Sequence, residues 1–98
     1  MRYLRADAVS WAEVQAAVRP GAVVSIGRGE GTRVFVRVLR AWRWRGAPRE
    51  LPHGYLQPGE FSRLVVAMPG GVPLELCADA PAGAWRVTGV MVPTEGGR

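Results

Sequence analysis

At 98 residues, with 48% apolar and 21% charged side chains, the chain has the profile of one folded domain and not of a disordered segment. No apolar run approaches the roughly 20 residues that cross a bilayer, and no apolar core of a signal peptide follows the charged start Met1-Arg2-Tyr3-Leu4-Arg5, so a cytosolic protein without a membrane partner is expected. The formal net charge is +5 and there is no Lys or Asn, but the codon bias of a GC-rich genome explains an excess of Arg without any functional demand.

Ser10-Trp11-Ala12-Glu13 has the spacing of a capping box, with Val9 and Val14 at staple positions. Trp11, Val14 and Val18 then share one face, and Arg19-Pro20-Gly21 supplies a C-terminal cation and a stop. The pattern predicts a helix of about two turns over residues 11–19.

Beyond Gly21 the periodicity changes to that of strands. Ala22 to Ile26 is a short apolar run, closed by the glycine-rich turn Gly27-Arg28-Gly29-Glu30-Gly31. A phosphate cradle would lead from such glycines into a helix; a strand-like run follows instead, so a hairpin turn is expected. The longest predicted strand runs from Thr32 to Trp44, with Val34, Val36 and Val38 alternating onto one face. Two further strands, Phe61 to Met68 and Val72 to Ala78, are joined by Pro69-Gly70-Gly71, and a last strand spans Trp85 to Val92. Pro93 ends it, leaving residues 94–98 as a flexible tail after a single domain of residues 1–93. Between Gly46 and Gly59 three prolines and three glycines predict a long loop anchored by Tyr55 and Leu56.

These elements describe a mainly β fold: a small five-stranded bent antiparallel sheet, or an SH3-like or OB-like barrel, with one short N-terminal helix. The stretch Val18 to Val38, a helix end leading into Pro20-Gly21-Ala22-Val23-Val24-Ser25-Ile26, a glycine-rich turn and a long strand, resembles the opening hairpin of SH3-like barrels, which include small modules that bind ribosomal RNA. The resemblance covers about a fifth of the chain, and no functional residue is carried over from it.

Catalytic chemistry has little to stand on. The chain has one His (His53, in Pro52-His53-Gly54-Tyr55), one Cys and serines at 10, 25 and 62, and its carboxylates are scattered singly. One His and one Cys do not assemble a zinc site. Cys77, within Leu74-Glu75-Leu76-Cys77-Ala78, reads as a buried thiol in a reducing compartment. No enzyme activity, metal or cofactor is expected.

The uneven feature is the placement of arginine. Arg28, Arg33, Arg37, Arg40, Arg43, Arg45 and Arg49 crowd into residues 28–49 against one acid, Glu30, a net of seven minus one or +6, while the remainder carries six Arg against seven acids. Codon bias alone would spread them. Were residues 32–45 an unbroken strand, period two would place Arg33, Phe35, Arg37, Leu39, Ala41, Arg43 and Arg45 on one face and Val34, Val36, Val38, Arg40, Trp42 and Trp44 on the other. Arginines along such a strand can meet successive phosphates, and Phe35, Trp42 or Trp44 can stack on bases where exposed. A kink near Val38-Leu39 would bring the tryptophans to the Arg face. The bland alternative makes Trp42 and Trp44 core and the Arg stems cover for a sheet edge.

The leading expectation is a low-specificity binding domain for single-stranded DNA or RNA, using Arg28, Arg33, Phe35, Arg37, Arg40, Trp42, Arg43, Trp44, Arg45 and Arg49. The alternative is a protein-interaction or homodimer module that meets an acidic partner with the same surface.

Overall fold

The computed structural model describes residues 1–29, 31–52 and 54–94; the expected tail from residue 95 on, together with Glu30 and His53, lies outside the described residues. Eight strands and one helix follow in the order β1 (Arg2–Arg5), α1 (Trp11–Ala17), β2 (Val23–Gly27), β3 (Val34–Arg43), β4 (Arg49–Leu51), β5 (Gly54–Leu56), β6 (Phe61–Ala67), β7 (Pro73–Cys77) and β8 (Arg86–Val92). The fold is mainly β. Six strands form one antiparallel sheet in the order β1-β8-β2-β3-β6-β7, and β4 pairs with β5 as a separate hairpin. The sheet stays open, with β1 and β7 as its edges.

Period-two alternation in β2, β3, β6 and β8 supplies the inner face. Val24, Ile26, Val36, Val38, Leu64, Val66 and Val90 point to one side, where Val14 and Val18 of the helix complete the core. Ile26, Leu64 and Val66 have no exposed surface at all, so truncating any one opens a cavity that neighbouring strands cannot collapse into. Turns between strands fall where Gly takes positive φ, as at Gly70 and Gly71 between β6 and β7.

Three local expectations are corrected. The helix begins without a capping box: the Ser10 side chain makes no cap bond, and Asp7 Oδ1 instead accepts from the Val9 and Ser10 amides at 3.1 and 3.0 Å. Glu13 is drawn away by Arg2 of β1, whose Nη2 lies 3.0 Å from Oε2. Val9 is 95% exposed and staples nothing, and the helix ends at Ala17, two residues early, because Val18 is already extended. The sheet has a sixth strand, β1, where Leu4 is buried between two exposed arginines; four residues with charged flanks make a weak signal but a good edge strand. The segment 46–59 is not a plain loop, since it contains the β4–β5 hairpin, seated by the buried Leu56.

Candidate functional site

The Arg-rich strand β3 carries a bulge. Val38 pairs with Val66 and Arg40 with Val65, leaving Leu39 unmatched. The physical reason is charge: an unbroken strand would turn Arg40 inward beside Val38 and Val66, where an unpaired guanidinium costs several kcal/mol of desolvation (~). The extra residue sends Leu39 and Arg40 outward together and puts the small Ala41 against Leu64 on the inner face.

The bulge reverses the faces of an unbroken strand beyond residue 39, as the kink considered near Val38-Leu39 would for Trp42. Arg40 and Trp42 join Phe35 and Arg37 on the outer face, with Trp42 opposite Arg63 of β6, while Arg43 turns inward opposite Phe61. Trp42 is half-buried and stands outside the core cluster.

Two aromatic clusters occupy this outer face. In the first, Tyr3 of β1 and Phe35 meet edge to face at 5.8 Å, and the Arg33 guanidinium lies over both rings, at 5.3 and 5.8 Å. Tyr3 lies flat over Gly89 of β8, whose missing side chain makes the room: a Cβ there would stand 2.2 Å from the phenol oxygen. The phenol hydrogen-bonds to Ser25 Oγ at 2.7 Å and donates to the Thr88 carbonyl at 3.1 Å. Burial pushes the Tyr3 pKa up, but the side-chain hydroxyls of Ser25 and Thr88 and the neighbouring Arg33 more than offset it, leaving the phenol below its ordinary value. In the second cluster, Arg40 and Arg63 both stack on Trp42, with centroid distances of 4.8 and 3.8 Å, and Arg63 pairs with Glu75 of edge strand β7 at 2.9 Å.

Arg37 lies between the clusters and donates to the Gly21 carbonyl at 2.6 Å. Phe35 is 50% exposed and Leu39 45%. Among the described residues, Arg5, Arg33, Arg37 and Arg40 form no ion pair. The face is therefore basic, aromatic and uncovered by α1, which lies on the other side of the sheet.

The remaining sequence-predicted residues lie elsewhere. Arg43 fastens the helix: Nη1 donates to the Gln15 and Gly59 carbonyls at 2.7 and 3.3 Å, and Nη2 donates to the Val18 carbonyl. Burial, reinforced by Arg19, lowers its pKa from the usual guanidinium value. Trp44 is half-buried and donates its indole N–H to the Ala47 carbonyl at 2.8 Å, anchoring the approach to β4. Arg49 pairs with Asp79 at 3.2 Å and stacks on Trp44, Arg28 stacks on Trp85, and Arg45 is exposed past the end of β3.

Tyr3, Arg5 and Arg63 belong to the face and were not among the expected residues. Their only sequence signal was alternation, in Arg2-Tyr3-Leu4-Arg5 and in Ser62-Arg63-Leu64. Cys77 is exposed, not buried, because Leu76 takes the inward position of β7. Partial desolvation of the thiol by its neighbours, with the carboxylates of Glu75 and Asp79, holds its pKa above the ordinary value.

No group of three or more potential metal ligands and no helix long and apolar enough to cross a membrane occurs among the described residues. No protein-family model, curated protein or solved structure matches the chain.

Proposed function

We propose that the domain binds single-stranded nucleic acid, RNA or DNA, on the outer face of its sheet, by charge and stacking and with little sequence preference. The observation that supports this reading is the bulge at Leu39, which gathers Arg33, Phe35, Arg37, Arg40 and Trp42 onto one uncovered face. By strand rise, Phe35 and Trp42 stand on the order of 20 Å apart, enough for several nucleotides to lie between the two aromatic platforms. Tyr3, Phe35 and Trp42 offer π surfaces, and guanidinium planes already stacked on rings can continue such stacks onto bases. Arg5, Arg33, Arg37 and Arg40 supply the phosphate contacts.

The one helix among the described residues argues against reading a duplex groove, since it carries Glu13 in its first turn and no basic residue in its last. A protein partner, including a second copy of the chain, is the competing occupant of the same face.

The two occupants separate on salt. Fluorescence anisotropy with labelled single-stranded oligonucleotides is expected to give saturable binding whose log–log salt slope is about −3, from roughly four phosphates at −0.7 each. Affinity should then fall about fifty-fold between ~50 and ~200 mM salt. An absence of binding at low salt would overturn the proposal.

A further inference from the structure

We propose that the cavity between α1, β5 and the start of β8 is a binding site for a small organic cation of the methylated or quaternary ammonium class. This site is distinct from the outer sheet face and does not rest on the nucleic-acid reading.

The cavity has a volume of about 530 Å³, within the range of small-molecule sites. Four aromatic rings line its wall: Trp11 from α1, Tyr55 from β5, the core residue Phe61 from β6 and Trp85 immediately before β8. Tyr55 is 61% exposed, and Trp11, 38% exposed, touches the core only through Phe61, 6.5 Å between ring centroids. Rings left partly open to solvent around one cavity are available to a ligand.

The polar groups select the charge of that ligand. Asp7 and Glu60 line the same cavity. Glu60 Oε2 accepts from the Trp11 indole N–H at 2.8 Å while Oε1 accepts from the Gln57 amide at 2.9 Å, so the carboxylate is fixed in place and half-buried. An anionic acceptor on the indole N–H raises electron density over the ring, which strengthens its attraction for a cation. Arg86 also lines the cavity, but its guanidinium is turned back onto the Ala80 and Pro81 carbonyls, at 3.3 Å each. Trp85 already holds one cation, the Arg28 guanidinium, 5.2 Å from its centroid.

Taken together, the wall offers aromatic rings and carboxylates in a protein that is otherwise basic. An anion or a phosphate would meet Asp7 and Glu60 as repulsion. A neutral apolar ligand would leave their negative charge without a counter-charge. A quaternary ammonium carries its charge on methyl groups that have no N–H to donate, so it is matched by rings and a nearby negative charge and not by hydrogen-bond acceptors alone.

The test uses choline and its neutral carbon isostere, in which a tert-butyl group replaces the trimethylammonium. Followed by NMR on the full chain, choline is expected to saturate with a dissociation constant of about 1 mM, moving the Trp11 indole N–H resonance and shifting its own methyl protons upfield by ring current. The isostere should bind about tenfold more weakly. Glu60→Gln keeps an acceptor for the Trp11 indole and removes the charge; it should weaken choline about tenfold and leave the isostere unchanged. Tyr55→Ala, at an exposed position, should weaken choline without unfolding the chain. Equal binding of choline and the isostere, or no saturable shift in a folded protein, would overturn the proposal.

Discussion

Replacing Arg43 by alanine is expected to lower stability by about 2–3 kcal/mol, with a fall in the thermal midpoint of roughly 10 °C or more. The guanidinium satisfies the carbonyls of Gln15 and Val18 at the helix C-terminus and reaches Gly59 from the β5–β6 connection. These carbonyls have no further turn of helix to pair with, and one charged fork joins helix, strand and loop. Alanine removes the donors and leaves oxygens at a partly buried junction. Arg43→Lys should recover less than half of the loss, because a single ammonium cannot span the same acceptors. Urea and thermal unfolding read the effect directly. A change below about 0.5 kcal/mol would place Arg43 among ordinary surface residues.

The second large effect concerns binding. Arg37→Glu/Arg40→Glu should reduce affinity for a single-stranded oligonucleotide by more than about 100-fold at low salt and flatten the salt slope by about 1.4, from two lost phosphate contacts. Both side chains are exposed, and Arg37 gives up only its bond to the Gly21 carbonyl, so the fold should survive, as circular dichroism would verify. Trp42→Ala removes a stacking platform and should weaken binding by about 1–3 kcal/mol while leaving the salt slope unchanged. A double reversal without effect on binding would move the site away from β3.

What was legible in the sequence follows from where the physics is local. Alternating valines located the long strand and the inner face, and glycine-rich turns located the hairpins, because both depend on neighbours two to four residues away. The sequence allows a kink near Val38-Leu39, but what fixes the bulge at Leu39 lies across the strand. No glycine marks it, and it arises from the conflict between Arg40 and the core that Val38 and Val66 build. One residue of register exchanged Trp42 and Arg43 between faces and so changed the membership of the site. The same parity argument corrects Cys77, whose apolar neighbours suggested burial although Leu76 holds the inward position. Partners remote in sequence explain the rest: Arg2 takes Glu13 from the expected capping box, and Tyr3 reaches the outer-face cluster from the edge strand β1, over Gly89 and against Ser25.

The most direct measurement is an NMR shift map of the isotopically labelled protein titrated with a short single-stranded oligonucleotide at low salt. Perturbations are expected to concentrate on the outer face, at the rings of Tyr3, Phe35 and Trp42 and the side chains of Arg33, Arg37 and Arg40, with α1 and the inner core unmoved. Saturable shifts centred instead on α1, on the β4–β5 hairpin or on edge strand β7, with the Phe35 and Trp42 rings silent, would contradict it.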